Sequence, residues 1–190
     1  MSTISVQIDR DLDDFAESFI DWFAEQKHLI KPRVKVWLIP TRAQWKKLEI
    51  VFPLTVSRNP LEHQTETEKA APHSQRDGLL ISRKNIFKIK SGLTSAQREE
   101  AKRQIQAKKE KREEFLAGKN YAIFLNMQFL QLQSQFEKVT FDHKVKEILT
   151  HELIHAFEHE NKTAIITQND DEKVNDALER FTTANPKWAY

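Results

Sequence analysis

Apolar residues recur at steps of three and four in three stretches of the chain, and this spacing predicts amphipathic helices. The first stretch covers residues 11–29, whose opposite face is acidic. The second runs from Phe141 to Glu160 and the third from Asp170 to Thr182. The apolar stripe of the second helix consists of Val145, Ile148, Leu149, Leu153, Ala156 and Phe157. Each stripe is expected to face the core.

Shorter apolar runs, rich in β-branched and aromatic residues, predict strands. Val34–Ile39 is one, and Pro40 stops it. Leu79–Ile89 is a second, and Tyr121–Met127 is the clearest strand of the chain. Glu49–Val56 is apolar as well, but Pro53 interrupts it. This run is therefore predicted to be an edge strand or two short pieces.

The segments between these elements are less regular. Thr41 is placed to cap a short helix over residues 43–48. Residues 57–78 are polar and contain Pro60, Pro72 and Gly78, which predicts the longest loop of the chain. Residues 128–139 mix polar and aromatic side chains, and their pattern assigns them to no element.

These elements together predict a mixed α+β protein. With 190 residues the chain is long enough to form one domain with a substantial core. A single domain over residues 1–190 is therefore expected. Residues 1–130 would form its helix-and-strand part, and residues 131–190 would form a helical part.

Composition excludes several kinds of site. The chain contains no cysteine, so disulfides, thiol nucleophiles and thiolate metal sites are impossible, and a metal must be held by His, Asp or Glu. Three glycines among 190 residues argue for a helix-rich fold without glycine-dependent phosphate loops. Hydrophobic residues make up 39% of the chain and charged residues 31%. This balance is typical of a soluble protein.

The sequence also indicates an expected compartment. No stretch approaches the roughly 18 consecutive apolar residues that cross a membrane, so no membrane association is expected. Residues 1–14 have acidic residues and no apolar run of the signal-peptide kind. A cytoplasmic protein is therefore expected, and secretion after removal of a leader stays open.

Residues 95–117 form the most charged part of the sequence. Thr94 or Ser95 can cap a long helix here, and Gly118 can end it. Basic and acidic residues alternate along it, which favours a solvated helix with internal ion pairs. The basic cluster Lys108–Arg112 leaves nucleic-acid binding open, although the net charge of the whole chain is only +2.

The sequence His151-Glu152-Leu153-Ile154-His155 lies inside the predicted helix of residues 141–160. Histidines four residues apart share one face of a helix, about 6 Å apart along its axis, so both can bind one zinc ion. Glu152 is rotated by about 100° from His151 and can approach the same ion without binding it. There it could accept a proton from water, the arrangement used in metal-assisted amide hydrolysis.

A catalytic zinc ion usually has three protein ligands. His159 would lie about 12 Å from His151 along an unbroken helix, too far for one ion. The predicted helix of residues 170–182 offers Glu172 as third ligand, and Asp176 could accept a hydrogen bond from His151 or His155. The alternative candidates for the third ligand are Asp170 and Asp171, and His159 if the helix were broken.

The segment His151–His155, followed by Glu172 and Asp176, resembles the zincin metallopeptidases and in particular their gluzincin branch. The resemblance covers Phe141 to Phe181. It implies a small mixed sheet, an active-site helix and a following helix that supplies the third ligand of one zinc ion. The implied ligands are His151, His155 and Glu172, with Glu152 as general base and Asp176 supporting a histidine.

The resemblance also implies an activity, that of a zinc-dependent peptidase acting on a peptide or protein, with an endopeptidase favoured over an exopeptidase. In zincins the substrate lies along an edge strand, which would be Tyr121–Met127 or a strand near it. Candidates for stabilising the oxyanion are Tyr121, Arg180 and Tyr190. The glycine and third histidine of metzincins are absent, since Glu158 and Asn161 occupy those positions.

A different class of function stays open beside this one. The chain could be a zincin-like binding module without catalysis, in which the charged helix of residues 95–117 binds a protein or a nucleic acid. A steep loss of binding with salt would indicate a nucleic acid.

Overall fold

A computed structural model describes residues 4–51, 77–83, 92, 94–166 and 171–189 of the chain. These ranges contain six α-helices, three strands and a short 3₁₀ helix at Pro186–Trp188. In chain order the α-helices and strands are α1 (Arg10–Lys27), β1 (Val34–Ile39), α2 (Arg42–Val51), β2 (Gly78–Ser82), α3 (Ser95–Leu116), β3 (Tyr121–Asn126), α4 (Met127–Glu137), α5 (Phe141–Asn161) and α6 (Asp171–Ala184).

The three strands form one mixed sheet in the order β1-β3-β2. β1 runs parallel to β3, with Val34 opposite Tyr121. β2 runs antiparallel to β3 on its other side, with Gly78 opposite Leu125. All six residues of β3 are buried, as expected for a central strand covered on both faces.

The sheet separates two apolar clusters. One contains Tyr121, Ile123 and Leu125 of β3 and the apolar faces of α1, α5 and α6. The other contains Ala122 and Phe124 of β3, together with residues of α2 and the end of α3. This alternation follows from the period of two along a strand. The first cluster joins the predicted helix-and-strand part to the predicted helical part, because both contribute to it.

Most of the predicted elements are present. β1 has the predicted bounds, and α1, β3, α5 and α6 differ from them by one or two residues. The mixed α+β class is therefore confirmed. β2 confirms the start of the strand predicted over Leu79–Ile89, whose end lies outside the described residues. The loop predicted over residues 57–78 lies outside them as well, except for its last two residues.

The edge strand predicted over Glu49–Val56 is wrong for residues 49–51. These residues continue α2, which begins beside the predicted cap Thr41. Trp45 and Leu48 are buried against the sheet in the second cluster, three residues apart as on a helix face. Packing therefore overrides the strand propensity of the β-branched residues.

The unassigned residues 128–139 contain α4, whose first turn is capped by the side chain of Asn126.

A helix that crosses a membrane must be both long and predominantly apolar. None of the helices in the described ranges combines these two properties.

Candidate functional site

α5 places the two histidines of the site on consecutive turns. Thr140 caps the start of the helix, since its hydroxyl accepts a hydrogen bond from the His143 N–H at 3.1 Å, and the helix continues unbroken to Asn161. His151 and His155 are both partly buried, and their Nε2 atoms are 3.0 Å apart. Two nitrogens each about 2.0–2.1 Å from a tetrahedral zinc ion would be about 3.3 Å apart. The pair is therefore close to the spacing that one shared ion needs.

Glu158 fixes the orientation of the His155 ring through its Nδ1 atom, a role that sequence reasoning missed. Its side chain is 1% exposed, and its Oε2 lies 2.6 Å from His155 Nδ1. Its Oε1 accepts hydrogen bonds from the backbone N–H groups of Ile165 and Ile166, at 2.6 and 2.7 Å. An Nδ1–H donated to this carboxylate leaves the lone pair of His155 Nε2 facing His151.

The charge state of Glu158 is consistent with this role. Burial acts to raise the pKa of the Glu158 carboxyl, but the hydrogen bonds from His155 and from two backbone N–H groups outweigh it and hold that pKa below its usual range. Glu158 is therefore an ionised acceptor. The signal in the sequence was a carboxylate three residues after His155, which a helix places on the same face.

His151 is uncharged at neutral pH. Burial lowers the pKa of His151 to about 4, and the neighbouring His155 contributes in the same direction. A neutral imidazole keeps a nitrogen lone pair, which metal binding requires. His151 and His155 therefore provide two converging nitrogen donors.

Glu152 lies on the side of α5 that faces the start of β2. It is partly buried, and Gly78 is its neighbour: a Cβ atom placed on Gly78 would be 2.7 Å from Glu152 Oε1. Glu152 therefore lies next to the start of β2, and it directly follows His151 on α5. Gly78 is a second residue that sequence reasoning did not identify.

Glu172, the predicted third ligand, is not brought to the histidine pair. It lies exposed in the first turn of α6, and within the described ranges no group of three or more His, Asp and Glu side chains is arranged to hold a metal ion. The buried residue Val174 follows Glu172 by two positions, about 200° around the helix. The apolar stripe of α6 therefore faces the core and turns Glu172 towards solvent. Asp171 is exposed too, and Asp170 lies outside the described residues.

Asp176 does not support a histidine in the predicted way. Its side chain is 65% exposed and lies 3.7 Å from Arg180 Nη1. With Trp22 and Ile154, both residues line a cavity of about 250 Å³ between α1, α5 and α6. Glu158, on α5 itself, makes the contact with a histidine that the sequence predicts for Asp176.

Tyr121 and His159, two further candidates, contact each other and other groups. The Tyr121 hydroxyl donates a hydrogen bond to Glu160 Oε2 at 2.6 Å. Burial, the hydrogen bond and the charge of Glu160 all raise the pKa of Tyr121 above its usual range. His159 lies beside the ring of Tyr121, and because α5 is unbroken it cannot share an ion with His151. Tyr190 lies outside the described residues.

The strand predicted to be the wall of a cleft has a different position. Tyr121–Asn126 is the central strand β3, so it is not an edge against which a substrate can lie. β2 is the strand next to Glu152.

The charged helix has the predicted bounds within one residue, as α3. Thr94 and Gln97 form a capping box at its start. The ion pairs expected for a solvated helix are present along it, between Lys102 and Glu99, Arg103 and Glu100, and Lys111 and Glu114.

This chain matches no protein-family model, no curated protein and no solved structure. What the site can do therefore follows from its geometry alone. The Nε2 atoms of His151 and His155 are 3.0 Å apart, a buried carboxylate orients His155, and a second carboxylate, Glu152, directly follows His151. Such an arrangement suits a divalent ion with a proton acceptor beside it.

Proposed function

We propose that this protein is a zinc-dependent peptidase with a zincin-like site, an endopeptidase rather than an exopeptidase. The observation that carries the proposal is the 3.0 Å separation of His151 Nε2 and His155 Nε2, with Glu158 bound to the other nitrogen of His155. Glu152 would be the general base. The small mixed sheet with α5 packed against it agrees with such a fold.

The donors fit zinc by their chemistry. Imidazole nitrogen is a common zinc ligand, and the Glu158–His155 contact is the carboxylate support that zinc-binding histidines usually have. His151 and His155 would hold the ion. When bound, zinc would polarise a peptide carbonyl and acidify a water molecule.

The two carboxylates have different proposed roles. Glu152 would accept a proton from the attacking water and then donate it to the leaving amine. Glu158 keeps His155 in one tautomer and one orientation, so that the ligand geometry does not change during the reaction. Peptide and protein chains are the proposed substrates.

We place the third ligand among Asp170, Asp171 and Glu172. The chain leading to them passes beside the site, because the N–H groups of Ile165 and Ile166 bind the same carboxylate as His155 does. Four residues span at most about 14 Å, so a residue near position 170 is within reach of the pair.

Zinc content and cleavage of an unfolded protein substrate, such as labelled casein, test this function together. The parent should bind one zinc ion and cleave. Glu152→Gln should retain zinc and lose at least about 10³-fold in kcat, because it removes the proton acceptor. His155→Ala should lose both.

His143→Ala is the matched control, a histidine on α5 two turns before His151. It should retain zinc and cleavage. A parent protein that binds no zinc, or a Glu152→Gln variant that cleaves as fast as the parent, would contradict the proposed function.

A further inference from the structure

Gly78, the first residue of β2, lies directly against α5. A Cβ atom on Gly78 would be 2.7 Å from Glu152 Oε1, 2.9 Å from Glu152 Cγ and 3.1 Å from Ile148 Cγ2. Carbon atoms in contact are normally about 3.5–4.0 Å apart. Even the smallest side chain at this position therefore requires a neighbour to move.

The backbone of residue 78 does not itself require glycine. Gly92 and Gly118 have positive φ angles of 83° and 80°, whereas Gly78 lies in a strand and is not among the positive-φ residues. Glycine within a strand is normally unfavourable, and replacing it where the backbone allows alanine tends to stabilise a protein. The neighbours on α5 are thus the reason for a glycine here.

β2 has little freedom to retreat from α5. The Asn126 N–H donates a hydrogen bond to the Asp77 carbonyl at 2.8 Å, which ties the residue before β2 to the central strand. Gly78 is in register with Leu125 of the central strand, and all five residues of β2 are buried. The Glu152 side chain, which is only partly buried, is therefore the group that would move.

We infer that Gly78 is a positioning residue for the Glu152 carboxylate: its missing side chain leaves the space in which the carboxylate of the general base lies. The contact between the two residues stands on geometry alone. Its catalytic meaning rests on the proposed peptidase function.

Thermal unfolding tests the contact without a measurement of activity. It compares four metal-free proteins: the parent, Gly78→Ala, Glu152→Ala and the double variant. Glu152→Ala removes both atoms that the new Cβ would approach most closely. Gly78→Ala should lower the unfolding midpoint in the parent by about 3 °C or more. In the Glu152→Ala protein the same change should leave the midpoint unchanged or raise it.

An equal change of the midpoint in both backgrounds overturns the inference, because residues in contact are coupled and independent residues are additive. This result is separate from the proposed function. A parent that never cleaves peptides would refute the peptidase, and the unfolding cycle would still decide whether Gly78 positions Glu152.

The catalytic meaning is tested with zinc-loaded protein. Gly78→Ala should retain zinc, because the atoms that a Cβ on residue 78 would approach belong to Glu152 and Ile148 rather than to a histidine. Its kcat should fall by about 10²-fold, the usual effect of a misplacement near about 1 Å. KM should stay within about threefold, since the lost interaction belongs to the transition state. A Gly78→Ala enzyme with the kcat of the parent would overturn this role.

Leu79→Ala is the matched control. Leu79 follows Gly78 in β2 but faces the opposite cluster, where it is buried. Its truncation should lower the unfolding midpoint by leaving a cavity, while kcat stays within about threefold of the parent. A loss of kcat as large as that of Gly78→Ala would show that general destabilisation, and not the position of Glu152, limits the reaction.

Discussion

The histidine face of α5 and the first turn of α6 differ in how far their polar side chains are held in place. On α5, His155 and Glu158 are joined at 2.6 Å, and Glu158 is 1% exposed. On α6, Glu172 is exposed and Asp176 has only a long contact with Arg180. In this protein the ordered carboxylate beside the histidine pair comes from the same helix and not from the next one.

The largest effect would come from the α6 side, if it supplies the third ligand. Of the variants Asp170→Ala, Asp171→Ala and Glu172→Ala, we expect one to weaken zinc binding by at least about 10²-fold, because it removes a direct ligand. Competition with a chromogenic chelator measures the affinity. Parent affinity in all three variants would exclude this segment as the source of a ligand.

Glu158→Ala should have the next largest effect. It removes the acceptor of the Ile165 and Ile166 N–H groups. Each unsatisfied buried group costs about 1–3 kcal/mol of unfolding free energy, so urea unfolding of the metal-free protein should show a loss of about 3 kcal/mol. Zinc affinity should fall by about 10–100-fold. A variant as stable as the parent would mean that the buried carboxylate does not organise this end of α5.

The Tyr121–Glu160 contact at the end of α5 can be followed by pH. Because burial raises the pKa of Tyr121, the un-ionised phenol is favoured in the folded state, and the stability it contributes is present below pH 10 and lost as the pH rises above it. The chain has two tyrosines. The tyrosinate absorbance of Tyr121, read as the difference between the parent and a Tyr121→Phe variant, should therefore appear only on alkaline unfolding.

Tyr121→Phe is the control for this titration, and it should remove the delayed part of the absorbance change. If Tyr121 ionised near about pH 10 in folded protein, it would not be buried against Glu160 as described.

Asp176→Ala should have the smallest effect. An exposed ion pair of this spacing contributes at most about 0.5 kcal/mol. Asp176 pairs with Arg180 rather than with a histidine, so zinc binding should not change. The same urea and zinc measurements apply. If Asp176→Ala weakened zinc binding as strongly as Glu158→Ala, the contrast between the two helices would be false.

The parts of the site that lie within one helix could be predicted. The pairing of His151 with His155, the position of Glu152 beside them and the rejection of His159 all follow from the regular turn and rise of an α-helix. The unbroken α5 confirms the geometry on which they depend. The position of Glu158 follows from the same helical period. The zinc-binding pattern names only the ligands and the base, however, so it does not include a residue that supports a ligand.

The contacts between two different elements could not be predicted from the sequence. Glu172 and Asp176 are four residues apart, which places them on one face of α6 but does not say which way that face points. The packing of Val174, Ala177, Leu178 and Phe181 decides its direction, and it points Glu172 towards solvent. The strand predicted over Glu49–Val56 was wrong at residues 49–51 for the same kind of reason, since packing against the sheet favours helix.

The sequence by itself therefore determined the mixed class of the fold, most of its elements and the histidine pair with Glu152 beside it. Each of these depends on interactions between residues a few positions apart, whose geometry the backbone repeats everywhere. Only the tertiary structure decided that β2 lies against α5, so that Gly78 leaves room for Glu152. Only the tertiary structure also decided that α6 faces the core with its apolar side. These depend on how separate elements dock, and docking is set by the burial of the whole core rather than by any local spacing.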